Sequence, residues 1–461
     1  MPATLVWFRS DLRLSDHDAL AAAVARGGPV VPVFIWAPDE EDPWPPGGAA
    51  RVWLHHSLAA LARQLEARGS RLIVRRGPSD AALCELARAC GADAVFWSRR
   101  YEPVVAARDE RVAQVLRASG IDTSTHRGAL LVEPHELSTA VGRPYQVFTP
   151  FARAALQRLE PMPPGPAPPS IPAPPRWPDG LTVEALQLLP PKDWARGLLA
   201  GARPGAEGGQ HALRAFVRRR IPSYAQGRDV PASGSSSSLS PHLRWGELSP
   251  REVWSAADDA GRETRAPAAA NAVAAFQRQL LWREFAAHLL HHFPDTDREP
   301  LRPAFARLAW RHDPAARRAW QRGRTGFPIV DAGMRELWAT GAMHNRVRMI
   351  AGSFLVKDLL LPWQEGARWF WDTLVDADLA NNTLGWQWVA GCGADAAPYF
   401  RVLNPTLQQE KFDPDGAYVK RWVPELGTSA YPKPIVDHAA ARQRALAAHA
   451  VMVRSGRRPT P

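Results

Sequence analysis

The residue types that can carry chemistry are concentrated in one stretch of the chain, residues 341–388. Polar and charged side chains lie there among apolar ones: His344, Asn345, Arg346, Arg348, Asp376, Asp378, Asn381 and Asn382. Tryptophans are interleaved with them: Trp363, Trp369, Trp371, Trp386 and Trp388. Buried polar groups need hydrogen-bond partners, and buried charges need opposite charges. We therefore expect this stretch to pair its charges internally and also to hold a polar ligand.

Within this stretch, Arg348 is a cation that can neutralise Asp376 or Asp378. A structural salt bridge is one interpretation, and such a bridge need not stabilise the fold. A charge pair that serves a bound cofactor is the other interpretation. Met349 follows on the same predicted helix and, taken alone, is expected to pack in the core. Periodicity by itself favours the structural interpretation for both residues.

Two further groups of residues have spacings that suit ligand binding. Gln279, Trp282 and Arg283 share one face of a long predicted helix, where an indole can stack on a nucleic-acid base. A packed indole beside a surface ion pair is the alternative, and periodicity alone favours it. The serine run Ser235–Ser240 precedes a predicted helix, where hydroxyls and free N–H groups can bind an anion. A flexible serine loop is the alternative for this run.

Several functional classes are excluded by what the sequence lacks. We find no Ser/His/Asp or Cys/His triad, and we predict no metal site. Cys84, Cys90 and Cys392 form neither a metal-ligand pattern nor a disulfide framework. The first predicted strand begins at once, without a signal peptide, and no apolar run is long enough to span a membrane. These features predict a cytoplasmic protein that does not interact with a membrane.

The charge of the chain suits a partner that carries phosphate groups. The formal net charge is +11 over 461 residues, and the basic residues are nearly all arginine. Guanidinium groups match phosphate oxygens in geometry, so this surface is typical of proteins that contact nucleic-acid backbones. Base composition of the genome is an equally good explanation for the abundance of arginine.

The elements that must position these residues fall into two halves. Strands predicted at Thr4–Phe8, Val30–Trp36, Arg71–Val74 and Ala94–Trp97 alternate with helices, which is typical of a parallel α/β sheet. No G-x-G-x-x-G motif follows the first strand. A proline-dense connector, Pro161–Pro178, comes next, and almost everything after Gln210 is predicted to be helical. The predicted fold class is therefore α/β plus all-α, with a Rossmann-like domain (1–132), a connector (133–209) and a helical domain (210–461).

Taken together, these residues resemble the photolyase/cryptochrome flavoprotein family, most closely its bacterial class I members that repair cyclobutane pyrimidine dimers. Several long motifs carry the resemblance in the family's order: Leu5–Leu20, Tyr145–Phe151, Ser223–Ala232, Leu239–Trp254, Leu280–Phe285, Met343–Leu360, Asp376–Trp388, Asp395–Pro405 and Glu410–Asp413. The resemblance covers almost the whole chain, and its fold agrees with the two predicted halves. It also implies that the α/β half holds an antenna site.

The resemblance implies one bound FAD in the helical domain, fully reduced in the working state. The residues implied to bind it are Tyr224, Ser236, Ser237, Ser238, Leu239, Ser240, Phe276, Arg348, Asp376 and Asp378. Asn382 is implied to face the flavin N5, and asparagine there is typical of photolyases. Ser236 and Ser238 stand where the family usually has Thr and Arg, which keeps a hydroxyl and loses a positive charge. Phe276 replaces a usual Trp.

The resemblance also implies the substrate, which is UV-damaged DNA in double- or single-stranded form. The reduced, light-excited flavin gives an electron to a dimer that has left the duplex, and the dimer ring splits without a general acid or base. The residues implied to contact the dimer or the DNA are Arg228, Gln279, Trp282, Arg283, Asn345, Arg346, Met349, Arg401, Gln408 and Lys411. We expect a monomer.

An electron path from the surface to the flavin is also implied. Trp386, Trp363 and Trp310 stand at the three family positions of this path, and Trp320 is a further photoactive candidate. Packing residues would be the alternative, but tryptophan at all three positions favours electron transfer.

Departures from the family pattern keep two other functions open. Gln279 stands where dimer photolyases usually have Glu, and (6-4) photolyases and cryptochromes often carry Gln there. Trp282 and Met349 favour dimer repair. A cryptochrome-type blue-light receptor is disfavoured because the chain ends at Pro461 without the tail that sensory members usually add. Val104 and Val105 replace the Asn-Glu pair of folate-binding members, so a second chromophore of the usual folate type is not expected. A deazaflavin, a second flavin or no antenna remain alternatives.

Overall fold

The computed structural model describes residues 1–159, 163–192, 194–264, 267–396 and 400–455. Residues 161 and 162 of the predicted proline-dense connector lie outside the described residues. The same holds for residues 397–399 of the motif Asp395–Pro405 and for Pro461, on which the expectation about a missing tail rests. All further structural statements concern the described ranges.

The first half of the chain is a five-stranded parallel sheet with covering helices. Its strands are β1 (Ala3–Phe8), β2 (Val30–Trp36), β3 (Ile73–Arg76), β4 (Ala92–Ser98) and β5 (Asp122–His126), in the order β3-β2-β1-β4-β5. The helices between them are α1 (Asp18–Arg26), α2 (Gly48–Glu66), α3 (Ser79–Cys90) and α4 (Pro103–Ala118). This confirms the predicted α/β sheet. Strand β5 was missed because its sequence, DTSTH, is polar throughout and pairs only at the sheet edge.

The second half of the chain is helical, as predicted. One helix, α5 (Phe148–Arg158), lies within the predicted connector. The others are α6 (Ala206–Arg219), α7 (Tyr224–Gly227), α8 (Ser240–Arg244), α9 (Pro250–Thr264), α10 (Pro267–His292), α11 (Pro314–Gln321), α12 (Pro328–Thr340), α13 (Asn345–Ser353), α14 (Trp363–Thr373), α15 (Leu379–Ala390), α16 (Pro405–Phe412), α17 (Ala417–Trp422) and α18 (His438–Ser455). In these ranges no helix is both long and apolar enough to cross a membrane.

Helix α13 ends earlier than the sequence predicted. The hydrophobic pattern of the sequence predicts one helix over Asn345–Leu361, but regular α-helix stops at Ser353 and a π-helical turn follows at Phe354–Asp358. Leu360 then adopts a left-handed φ of 55°, and Pro362 prevents the helix from continuing. Because β-branched and aromatic residues in this segment are all buried, the hydrophobic pattern alone could not distinguish one helix from two segments.

A buried arginine joins the two halves of the chain. Arg13 lies in the loop after β1, and only 1% of the residue is exposed. Its guanidinium donates to the carbonyl oxygens of Asp16, Gly128 and Gly246, at 2.8, 2.9 and 3.0 Å. Three segments that are far apart in sequence therefore share one cation, and a cation with several carbonyl partners tolerates burial.

Helices α14 and α15 approach each other closely at one glycine. A Cβ atom at Gly366 would overlap Cη2 of the Trp386 ring, so only glycine lets the indole lie against the backbone of α14. Gly352 of α13 faces the same indole with more room, because a Cβ atom added there would lie 3.6 Å from the nearest Trp386 atom. The position of α15 relative to α14 therefore depends on Gly366.

We predict that Gly366→Ala lowers the free energy of unfolding by about 1–3 kcal/mol, because the added methyl group overpacks the α14–α15 contact. Gly352→Ala is the matched control, since it faces the same indole with more clearance. We expect its change to stay within about 1 kcal/mol, because the higher helix propensity of alanine offsets mild crowding. Urea denaturation followed by circular dichroism measures both, and equal losses in the two variants would contradict the prediction.

Candidate functional site

The first turn of α15 brings two of the predicted site residues, Asp378 and Asn382, together with Asn381. Asp378 is the N-cap of the helix, and its Oδ1 accepts hydrogen bonds from the backbone N–H and the side-chain amide of Asn381, at 2.9 and 2.7 Å. Asn382 is half-buried, and its side-chain amide donates to the carbonyl oxygen of Ala367 in α14 at 3.0 Å. The contact between α14 and α15 therefore fixes the orientation of Asn382.

Arg348 and Asp376 form the ion pair that the sequence left as one of two alternatives. Arg348 Nη2 lies 3.1 and 2.9 Å from the two carboxylate oxygens of Asp376. Its Nε donates to the carbonyl oxygen of Met343 at 2.7 Å, which ties the guanidinium to the residue before the N-cap of α13. The side chain of Asp376 is 6% exposed and that of Arg348 is 27% exposed, so the pair lies at the edge of the interior.

The serine run adopts a backbone conformation that suits an anion. Ser238 has a left-handed φ of 58°, which is uncommon for a residue with a side chain. Leu239 then returns to the right-handed region, with φ −92° and ψ −7°. Such alternation turns successive N–H groups toward one side, which is the geometry of an anion-binding nest. Arg220 supports the loop by donating to the carbonyl oxygen of Ser236 at 2.9 Å.

The other residues implied to bind the cofactor here are Ser237 and Ser240 of the serine run and two aromatic residues, Tyr224 and Phe276. Ser237 Oγ accepts a hydrogen bond from the backbone N–H of Leu239 at 3.4 Å, and Ser240 begins α8. Tyr224 and Phe276 are both buried, and their rings meet edge to face at 5.5 Å. Phe276 therefore packs in an aromatic cluster with Tyr224, whereas the family resemblance implied only a role in binding the cofactor.

Helix α10 carries Gln279 and Trp282, two of the residues implied to contact the dimer or the DNA. Gln279 Oε1 accepts a hydrogen bond from Arg228 Nη2 at 3.0 Å. Trp282 is half-buried, and the ring of Phe148 from α5 stacks face to face on its indole, with centroids 3.7 Å apart and planes 3° apart. Sequence reasoning missed Phe148, although it belongs to the motif Tyr145–Phe151. Contacts between distant segments leave no periodic signal.

The first turn of α13 carries further residues that the resemblance implies to contact the dimer or the DNA. Asn345 is exposed, and Arg346 forms an ion pair with Asp229 at 2.8 Å. Arg346 also lies over the ring of Phe412, 4.5 Å from its centroid, and its Nη1 is 3.8 Å from the sulfur of Met349. These contacts bring Arg228, Gln279, Arg346 and Met349 to one place.

The N-cap of α13 is His344, whose Nδ1 accepts a hydrogen bond from the backbone N–H of Arg346 at 3.2 Å. Burial lowers the pKa of His344 to about 4, and the nearby Arg346 and Arg348 act in the same direction. The imidazole is therefore uncharged at neutral pH. His344 thus offers no protonated imidazolium as a proton donor to the neighbouring Arg228, Gln279, Arg346 and Met349.

Four further residues complete the set implied to contact DNA, namely Arg283, Arg401, Gln408 and Lys411. The guanidinium of Arg283 donates to the carbonyl oxygen of Ala129 at 2.6 Å and pairs with Glu284, so it ties α10 to the segment that follows β5. Arg401 and Lys411 are exposed, and Lys411 lies 5.2 Å from the ring of Phe412. Gln408 is half-buried on α16 with Lys411. A contact of Arg283 with DNA stays a prediction beside this tethering role.

Three tryptophans of the predicted electron path lie in one part of the core. Trp386 and Trp363 are buried in the same hydrophobic cluster, and Trp310 packs against that cluster while remaining half-exposed. The rings nearest to Trp386 in the described contacts are Phe370 at 4.9 Å and Trp320 at 6.2 Å. Phe370 was not among the predicted residues.

A separate cleft opens at the carboxyl ends of β1 and β2. Its lining includes Trp7, Arg9, Arg100 and Arg244. Parallel sheets bind ligands at this edge, where the strand order reverses. Trp7 Nε1 and Arg9 Nε are buried without a hydrogen-bond partner among the described residues, which suits a polar ligand.

The valine pair that argued against a folate lies on α4. Val104 is exposed and Val105 is buried, so the two side chains offer an apolar surface and no hydrogen bond.

Comparison with known proteins matches both halves of the chain. The family described as DNA photolyase matches residues 4–173, and the family described as the FAD binding domain of DNA photolyase matches residues 276–429. The deoxyribodipyrimidine photo-lyase of Agrobacterium fabrum is 47% identical and covers 97% of this chain and 98% of its own. Cryptochrome-1 of Arabidopsis thaliana is 39% identical, covering 92% of this chain and 63% of its own.

Solved structures agree with this assignment. A bacterial class III photolyase from Agrobacterium tumefaciens has a TM-score of 0.94 at 46% identity and covers 98% of each chain. An archaeal photolyase from Sulfolobus tokodaii, described with two FAD molecules, has a TM-score of 0.82 at 29% identity and covers 97% of this chain and 100% of its own. The first is described as class III, whereas the sequence motifs predicted a class I enzyme. The chain belongs to the photolyase/cryptochrome family over nearly its whole length.

Proposed function

We propose that this protein is a light-dependent DNA repair enzyme that splits cyclobutane pyrimidine dimers with the help of bound FAD. The proposal rests on one observation, which is that the residues of α13 make two separate sets of contacts. Arg348 pairs with Asp376 on the side of the helix that leads to Asn382. Arg346 and Met349 contact each other on the side of Arg228 and Gln279. A cofactor site and a substrate site would thus lie on two sides of the same short helix, which suits electron transfer between them.

The described residues fit an FAD molecule. The anion-binding backbone at Ser238 and the neighbouring hydroxyls suit its phosphates. The Arg348–Asp376 pair and the carboxylate of Asp378 supply charges for its polar edges, and Asn382 is held in one orientation by Ala367. Bound FAD, reduced and excited by light, supplies the electron that opens the cyclobutane ring.

The residues of the chain would bind the dimer and exclude competing chemistry. Trp282 offers one indole face for stacking, since Phe148 covers the other. Gln279 and Asn345 would hydrogen-bond base edges, and Arg228, Arg346, Arg401 and Lys411 would bind phosphates. Ring opening by electron transfer needs no proton donor, and the uncharged His344 agrees with this.

Two accessory features extend the proposal. Trp386, Trp363 and Trp310 would reduce the flavin by passing electrons inward from the half-exposed Trp310. The cleft at the ends of β1 and β2 would hold a second chromophore, and its unpartnered Trp7 and Arg9 groups favour a polar one. The Sulfolobus tokodaii photolyase, with two FAD molecules, makes a second flavin one candidate. A monomer that acts in the cytoplasm remains our expectation.

Two alternative functions have specific support. The match to a plant cryptochrome over 92% of this chain favours a blue-light receptor. Gln279 in place of Glu favours a (6-4) photolyase. The dimer-repair proposal is preferred because Trp282 and Met349 are both present on the walls of the substrate site.

We predict that the reduced protein under blue light removes cyclobutane dimers from defined oligonucleotides and leaves (6-4) products intact. High-resolution chromatography of the irradiated DNA measures both lesions in one reaction, and a dark reaction is the control. Repair of the (6-4) product alone would favour that activity. Turnover of neither lesion by FAD-loaded protein would favour the receptor function.

We predict that Trp282→Ala weakens binding of dimer-containing DNA by about 1–3 kcal/mol, the usual contribution of stacking one base on an aromatic ring. FAD content should not change, because Trp282 has no contact with the Arg348–Asp376 pair in the described contacts. The control is Trp338→Ala, which removes a 58% exposed indole from α12. Loss of FAD from the Trp282 variant would make the residue structural.

We predict that Trp386→Phe slows photoreduction of the oxidised flavin by at least about tenfold while sparing repair once the flavin is reduced chemically. The reason is that phenylalanine packs like an indole but is much harder to oxidise. Trp371→Phe is the matched control, because Trp371 is buried in the same hydrophobic cluster, its described ring contact is with Trp44, and it is not among the residues predicted to transfer electrons. Transient absorption follows flavin reduction, and unchanged photoreduction in the Trp386 variant would contradict the path.

A further inference from the structure

A single carboxylate, Asp229, lies between two arginines of the substrate site. Its Oδ1 is 2.8 Å from Arg346 Nη2 and 3.8 Å from Arg228 Nε. The side chain of Asp229 is 43% exposed, and each guanidinium-bearing side chain is 24% exposed. Sequence reasoning assigned both arginines to DNA phosphates but gave Asp229 no role.

Both arginines are also tied to residues that would meet the bases. Arg228 donates to Gln279 Oε1 at 3.0 Å. Arg346 lies on the ring of Phe412 and contacts the sulfur of Met349. Asp229 therefore sits where it can hold the two guanidinium groups in place beside the residues that would contact a flipped dimer.

The contribution of Asp229 to folding is small on physical grounds. Partly exposed ion pairs add little to stability because water and salt screen them. Its effect on an approaching phosphate is larger, because it repels the phosphate, already occupies a donor of Arg346 and lies close to the charge of Arg228. A rim charge of this kind changes the salt dependence and the partner preference of binding more than it changes the fold.

Undamaged duplex and DNA that presents a flipped dimer differ in how far their contacts can offset the repulsion between Asp229 and phosphate. Undamaged duplex would bind through its phosphates alone, which is the salt-sensitive, sequence-independent mode. A flipped dimer would add contacts with Trp282, Gln279 and Met349, and those contacts use the guanidinium positions that Asp229 fixes. The carboxylate therefore opposes backbone-only binding and supports lesion binding.

We propose that Asp229 is a specificity-determining residue that suppresses binding of undamaged DNA by holding Arg228 and Arg346 in an ion-paired arrangement at the substrate site. The inference rests on the proposed function, because it requires damaged DNA to be the substrate. It adds a residue that acts through the two arginines and does not itself contact the lesion.

The test compares Asp229→Asn with Asp415→Asn in the FAD-loaded protein. Asp415 is exposed on the turn after α16, close in sequence to Phe412, so its substitution makes the same change in net charge nearby. Fluorescence anisotropy gives the Kd for undamaged duplex and for the same duplex with one cyclobutane dimer, at several salt concentrations in the dark. FAD content and the thermal unfolding midpoint verify that each variant is folded.

We expect Asp229→Asn to tighten binding of undamaged duplex by about threefold to tenfold at low salt, and to tighten lesion binding less. The slope of log Kobs against log salt should steepen by about 0.9, the value for one additional phosphate contact. Asp415→Asn should change both Kd values by a similar factor and so preserve their ratio. Asp229→Glu should retain discrimination, because it restores a carboxylate.

Two results would overturn the proposal. One is an unchanged ratio of the two Kd values in Asp229→Asn, and the other is the same change of ratio in Asp415→Asn. Failure of the proposed function is recognised separately, in the wild-type protein, by equal affinity for damaged and undamaged duplex. A discriminating wild type with an unaffected Asp229→Asn variant therefore rejects only the role of Asp229.

Discussion

The ion pair between Arg348 and Asp376 is the interaction on which the arrangement of the candidate site depends. Only 6% of the Asp376 side chain is exposed, so its charge requires an opposite charge nearby. Both carboxylate oxygens lie within hydrogen-bond distance of Arg348 Nη2. Removing one partner of a buried pair typically costs about 3–5 kcal/mol, because the other charge stays buried. The pair therefore fixes α13 against the segment that leads into α15.

Once α13 is fixed, its neighbouring polar residues have little freedom. Arg346 and Met349 flank Arg348 in sequence but contact each other and a different set of partners, which includes Asp229. On the other side, Asp378 and Asn382 are held at the start of α15 by a cap and by the carbonyl oxygen of Ala367. One short helix thus separates an interior site suited to a cofactor from a more exposed site suited to a charged polymer. A short separation matters because electron transfer weakens steeply with distance.

Sequence periodicity predicted most of this framework. The alternation of strands and helices indicated the parallel sheet, and strand β2, Val30–Trp36, has the predicted bounds. The charged stretch of residues 341–388 indicated an internal ion pair, but several carboxylates were available and the choice of Asp376 needed either the family resemblance or the structure. Strand β5 and the end of α13 were missed because a polar edge strand and a fully buried π-helical turn have no distinctive pattern.

The contacts that sequence reasoning could not find all join segments that are distant in the chain. Phe148 and Trp282 are the clearest example, because neither position requires an aromatic partner by its local pattern. Their nearly parallel rings, 3.7 Å apart, cover one face of the indole and restrict its rotation. A side chain that is already ordered loses little conformational entropy when a base stacks on it, so more of the stacking energy remains as affinity. The apolar packing of α5 against α10 therefore belongs to the proposed substrate site as much as the polar residues do.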